Sequence, residues 1–124
     1  MNQSMSGLNV ELDQSDMKGA IASFPEQIRT SFSIMKDWQF TNEYLNIQKI
    51  ILLGMGGSAI GGDVARVIVQ NSCVVPMIIN RSYNIPEWVD SSTLVLVSSY
   101  SGWTEETLNA FALCREQNCP IIVL

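Results

Sequence analysis

The stretch Ile50-Ile51-Leu52-Leu53-Gly54-Met55-Gly56-Gly57-Ser58-Ala59-Ile60-Gly61-Gly62-Asp63 constrains the fold more than any other part of the chain. Four apolar residues in a row suit a strand covered on both faces. Glycine then lets the backbone turn sharply and approach a ligand closely. A helix opening directly after the turn presents unpaired N–H groups and the positive end of its dipole, which together make an anion site. Residues Thr93 to Thr107, TLVLVSSYSGWTEET, repeat the plan: an apolar strand, a short polar turn, then a helix. Hydroxyls take the place of the glycines in this second turn.

The rest of the pattern fits around these two loops. Residues 1–14 read as a polar, flexible arm. Residues 15–48 read as N-terminal helices: Asp16 caps a short helix carrying Met17, Ala20 and Ile21. Pro25 opens a second helix with Glu26 in its first turn, and Ile28, Phe32 and Met35 form its core-facing stripe. Trp38 and Phe40 end that helix against the same core. Residues 49–124 alternate strand and helix. The expected strands are 49–54, 74–79, 94–98 and 120–124. The expected helices are 58–70, with Ile60, Val64, Val67 and Ile68 on one side, and 104–117, with Leu108, Phe111 and Ala112 inward. Pro76 suits an outer strand. Residues 80–92 form the connecting loop. The alternation predicts an α/β fold, a doubly wound parallel sheet in a three-layer αβα sandwich of flavodoxin-like order. An apolar strand ending bare at Leu124 would be exposed, so the expectation is that the chain is a piece of a longer protein.

Composition sets limits. With 124 residues, 47% of them apolar, the chain can bury a single core. A net charge of −5 with seven scattered Lys and Arg excludes the basic stripe of a nucleic-acid groove and an anionic membrane surface. An anionic ligand must therefore be held by backbone dipoles and hydroxyls. Three cysteines with no framework spacing predict a reduced, cytoplasmic protein. Cys114 and Cys119 read as core-lining residues, because no histidine is present to complete a metal site with them. No leader or membrane-spanning run is visible.

In a doubly wound sheet the first strand lies between the second and third, and the helices after strands one and three cover opposite faces. A crevice then opens between their two loops. Gly56 and Gly57 amides would line one wall, and hydroxyls of Ser58, Ser99, Ser101 and Thr104 the other. A ring of donors suits a phosphate, which offers acceptors only. Other motifs fit less well. Gly54-x-Gly56-x-x-Ala59 matches the alanine variant of the dinucleotide fingerprint. Its companion acid at the end of the second strand is absent, and Asn80-Arg81 stands there, so NADP is the dinucleotide that stays open. No Gly-Lys-Ser/Thr completes a P-loop. Ile60 occupies the last glycine of a nucleophile elbow, and a Ser-His-Asp triad lacks its histidine.

Gly54-Met-Gly-Gly-Ser-Ala-Ile-Gly-Gly-Asp63 together with Ser99-Tyr-Ser-Gly-Trp-Thr-Glu-Glu-Thr107 resembles the sugar isomerase (SIS) domain. Within that superfamily it is most similar to the first domain of bifunctional phosphoglucose/phosphomannose isomerases. Phe24-Pro25-Glu26-Gln27 resembles the family's N-terminal region. The resemblance implies a five-stranded parallel sheet, a full-length homodimer with two such domains per chain, and no cofactor. It implies a phosphosugar substrate: glucose 6-phosphate or mannose 6-phosphate, interconverted with fructose 6-phosphate. Carried over by position, Ser99, Ser101 and Thr104 hold the phosphate, and Gly56, Gly57 and Ser58 contact the sugar end. Trp103 stands where the family usually has asparagine or another polar residue. The family's catalytic glutamate and histidine lie beyond its first domain, so no residue here is assigned as acid or base. A non-catalytic phosphosugar-sensing regulator is the alternative of a different class.

Overall fold

A computed structural model of the chain describes residues 12–39, 44 and 46–124. Two compact units are present, Met1–Thr41 and Asn42–Leu124.

The first unit contains α1 (Met17–Ala22) and α2 (Phe24–Met35). Asp16 caps α1 as its position suggests, accepting from the Gly19 amide at 3.2 Å. Asp13 adds a second cap, its carboxylate accepting from the amides of Met17 (2.7 Å) and Lys18 (3.0 Å). The Lys18 and then the Met17 bond favour the ionised form and hold its pKa below the usual carboxylate value. Pro25 falls in the first turn of α2 with Glu26 beside it. The expected core-facing stripe is a correction: no residue of either helix is buried, and Phe32 and Met35 are at least half exposed. Trp38 is half exposed as well. Among the described residues of this unit, two short helices have no third layer to enclose a core. Phe40 lies outside the described residues.

The second unit is a four-stranded parallel sheet: β1 (Lys49–Leu53), β2 (Met77–Asn80), β3 (Thr93–Val97) and β4 (Ile121–Val123), in the order β2-β1-β3-β4. Its helices are α3 (Gly56–Val69), after β1, and α4 (Glu105–Glu116), after β3. Register pairs Leu53 with both Asn80 and Val97, so β1, β2 and β3 finish level. β2 is an edge strand, as Pro76 suggested, and it starts only after that residue. Pro76 has no N–H to offer a ladder, and its carbonyl accepts from Ile50 N at 2.9 Å.

Alternation along the strands sorts the two faces. On the α4 face, Ile51 and Leu53 of β1 meet Val95 and Val97 of β3, Ala110 and Cys114 of α4, and Val89 of the 81–92 loop. Ile51, Leu53 and Val95 are fully buried, each worth roughly 1.5–3 kcal/mol of apolar burial. On the other face α3 lies against β1 and β2 through small residues. Ala59 and Gly62 are its buried positions. A Cβ on Gly62 would come within 3.0 Å of Ile79 Cδ1 and of both Leu52 δ-methyls.

That close approach corrects the expected faces of both helices. Ile60, Val67 and Ile68 point away from the sheet and are about half exposed, because the small residues occupy the inward face of α3. On α4 the inward positions are Thr107, Ala110 and Cys114, with Phe111 partly buried. Leu108 and Ala112 face outward. Among the described residues, no helix is long and apolar enough to cross a membrane.

Candidate functional site

Both loops leave the carboxyl end of the sheet side by side. The Ser98 amide donates to Leu53 O (2.9 Å) and the Gly54 amide to Asn80 O (3.2 Å), so strand pairing continues into the turns. A Cβ on Gly54 would stand 3.0 Å from the Ser98 carbonyl oxygen. Glycine therefore permits the contact between the two exits.

The first loop turns at once into α3. Its N-cap, Met55, is extended and makes no side-chain cap bond. The amides of the first turn, Gly56, Gly57 and Ser58, thus have no intrahelical acceptor. Gly56 has φ +50°, and the space where side chains at Gly56 and Gly57 would stand is open.

In the second loop the hydroxyls interlock. Thr104 Oγ1 lies 3.4 Å from both Ser99 Oγ and Ser101 Oγ. Ser99 Oγ accepts from the Gly102 amide at 3.1 Å, and Ser101 Oγ accepts from the Trp103 amide at 3.3 Å. Those bonds use lone pairs of Ser99 and Ser101 and leave their protons available to donate. Gly102 takes φ +69°, which closes the turn. Thr104 is the N-cap of α4, yet its side chain makes no cap bond and stays with the two serines.

Between the loops lies an open crevice of about 470 Å³ lined by Met55, Gly57, Ser58, Tyr100, Ser101 and Thr104. Four of the residues singled out in the sequence, Gly57, Ser58, Ser101 and Thr104, meet there. Ser58 belongs to the glycine wall, since it sits in the first turn of α3. Ser99 lines a smaller cavity of about 130 Å³ beneath its loop, with Gly102 and Thr107. Gly56 is exposed at the start of α3 and is not among the lining residues. Trp103 projects into solvent, 84% exposed, and leaves the crevice unobstructed. Tyr100, fully exposed at the rim, and Met55 were not singled out in the sequence. An N-cap and a loop-tip aromatic carry no periodic signal.

Two contacts tie the segment after β2 to the helices. Arg81, the candidate for a 2′-phosphate, is paired with Asp63 of α3. Tyr83 of the 81–92 loop is fastened to α4: Asn109 Nδ2 donates to its carbonyl at 2.8 Å, and its hydroxyl donates to Glu105 Oε2 at 3.3 Å. The charge of Glu106, with burial and Glu105, raises the Tyr83 pKa. At the opposite end of the sheet Asp90 accepts from Ser92 (2.6 Å) and Lys49 (2.9 Å), which hold its pKa well below the usual carboxylate range.

Chemically, the crevice offers hydroxyls and helix-start amides toward one space, a donor set for an anion. A bifunctional phosphoglucose/phosphomannose isomerase of Caldicellulosiruptor bescii is 43% identical over 105 residues, 85% of this chain and 31% of that protein. One from Thermoplasma acidophilum is 38% identical over 89 residues, 70% of this chain and 27% of its own length. This is a sugar-isomerase (SIS) domain. A wider relationship shows in the isomerizing glutamine–fructose-6-phosphate aminotransferase of Corynebacterium diphtheriae. It is 33% identical to the SIS domain over 82 residues, 64% of this chain and 13% of that protein. The chain spans 31% of the length of the Caldicellulosiruptor relative and less of the others. No family model and no solved structure matches it.

Proposed function

We propose that the SIS domain grips a sugar phosphate in the crevice between the β1–α3 and β3–α4 loops. The parent protein would be an aldose–ketose isomerase interconverting glucose 6-phosphate or mannose 6-phosphate with fructose 6-phosphate, cytoplasmic and homodimeric. The carrying observation is the convergence of Gly57, Ser58, Ser101 and Thr104 on one crevice, with Ser99 bonded into the same hydroxyl turn. In this reading Ser99, Ser101 and Thr104 hold the phosphate, while Gly56, Gly57 and Ser58 meet the sugar end. The names of the relatives support the substrate class.

The reaction needs ring opening and proton transfer between adjacent carbons through an enediol, with a general base near C1 and C2. Among the described residues no carboxylate lines the crevice, and the chain has no histidine. Residues 49–124 therefore supply position: phosphate binding far from C1–C2 fixes the reacting carbons relative to groups elsewhere in the parent protein. The NADP reading loses support, since Arg81 is already paired with Asp63.

Thermal denaturation of the 124-residue chain with fructose 6-phosphate, inorganic phosphate and NADP in parallel tests the proposal. Saturating sugar phosphate at about a hundred times its Kd adds roughly 2.7 kcal/mol, a rise in Tm on the order of 10 °C. Inorganic phosphate should give less. Stabilisation by NADP alone would replace the sugar-phosphate reading with a dinucleotide one, and no response to fructose 6-phosphate would remove the grip from this domain.

A further inference from the structure

The cavity beside the hydroxyl loop is lined in part by a buried polar residue whose hydroxyl has no partner among the described residues. Thr107, in the first turn of α4, is 97% buried, and its Oγ1 has no hydrogen-bond partner among the described residues. A buried threonine in a helix usually turns its hydroxyl to a carbonyl three or four residues back. A buried orphan hydroxyl carries a stability penalty that valine, of nearly the same shape, would not. Its position suggests a reason for it. Thr107 lines the cavity of about 130 Å³ under the second loop, and the loop residues lining that cavity are Ser99 and Gly102. Val97, Leu108, Phe111, Val123 and Leu124 make the remaining wall apolar. Ser99 and Gly102 are themselves joined by the 3.1 Å bond that closes the turn.

We infer that Thr107 is a positioning residue for the anion grip, its hydroxyl bonding to Ser99 from beneath when the loop is loaded. The inference rests on the proposed phosphate grip and assigns a role to a side chain outside the crevice. In the free chain Ser99 Oγ accepts from Gly102 and lies a long 3.4 Å from Thr104 Oγ1. An anion above the loop draws the Ser99 and Thr104 protons toward itself, which leaves a lone pair on Ser99 to be filled. Within this apolar cavity, the Thr107 hydroxyl is the side-chain donor placed to fill it. The following residue, Leu108, is bonded back to Thr104 O at 3.0 Å, so the turn of α4 that carries Thr107 is held while the hydroxyl rotates toward Ser99.

Comparison of the full chain with Thr107→Val and Thr107→Ser separates this role from packing. The expected result for Thr107→Val is a free chain with unchanged or higher Tm, by up to several degrees, since the orphan is gone. Its affinity for fructose 6-phosphate should fall about three- to tenfold, one neutral hydrogen bond. Thr107→Ser, which keeps the hydroxyl, should bind within twofold of wild type while losing some Tm from the missing methyl. Wild-type affinity in Thr107→Val, or an equal loss in both variants, would overturn the inference and leave the phosphate grip standing. Failure of the wild-type chain itself to bind fructose 6-phosphate would overturn both.

Discussion

Gly54 and Ser98 touch where β1 and β3 leave the sheet. A β-carbon on the first would stand 3.0 Å from the carbonyl oxygen of the second, and that oxygen is backbone, with no flexible end to give way. The distance between the two loops is therefore set by the missing side chain of Gly54. Gly54→Ala should push the loop exits apart, destabilise the domain by about 1–3 kcal/mol, and weaken sugar-phosphate binding. Urea denaturation beside a fructose 6-phosphate titration measures both, and an alanine variant with wild-type stability and affinity would show that the exits have slack.

The hydroxyl turn makes a sharper prediction. Ser99 and Thr104 are 3.4 Å apart and share a network with Ser101. Hydrogen bonds to a charged group contribute about 1.5–3 kcal/mol each. Ser99→Ala with Thr104→Ala should thus lower fructose 6-phosphate affinity by more than a hundredfold. The free chain should stay folded, because the Thr104 side chain makes no cap bond. Calorimetric titration of the double variant at wild-type affinity would move the site elsewhere.

Catalysis should be absent from the isolated chain. Among the described residues no carboxylate lines the crevice, and no histidine exists in the sequence. A coupled assay for conversion of fructose 6-phosphate is expected to show no turnover above buffer. Turnover by the purified 124 residues would mean that a residue present here, unassigned above, carries the proton.

The buried thiol predicts how stability falls in alkali. Burial, with Cys119 beside it, pushes the Cys114 pKa up to about 12 from an ordinary value of 9.0. The unfolded chain releases that proton as pH passes 9, while the folded domain retains it until about 12. The contribution is intact below pH 9 and is lost as pH rises toward 12, because only the unfolded state gains from deprotonation. Cys114→Ala, though less stable at neutral pH from its cavity, should lose stability less steeply over that window. Parallel slopes for the two proteins would dismiss the thiol as the cause. Iodoacetamide at pH 8 should modify the half-buried Cys73 well before Cys114.

Much of this domain is legible in its residues. The run Ile50–Leu53 demanded a strand covered on both faces, and β1 is the central strand between β2 and β3. Pro76 suited an outer strand better than a central one, and β2, which starts just after it, is an edge strand. The glycine-rich and hydroxyl-rich turns declared two donor loops, and the βαβ alternation brought them to one end of one sheet. These are local matters of periodicity, missing N–H groups and backbone freedom, which a chain carries before it folds. Tertiary packing decided the rest. It chose Ala59 and Gly62 over Ile60 and Val67 for the inward face of α3, because the approach to Leu52 and Ile79 leaves no room for a larger side chain. It turned Trp103 to solvent, paired Arg81 with Asp63 across 18 residues, and buried the Thr107 hydroxyl in the first turn of α4. Each of those outcomes depends on distances between segments remote in sequence, and such distances exist only once the sheet has formed.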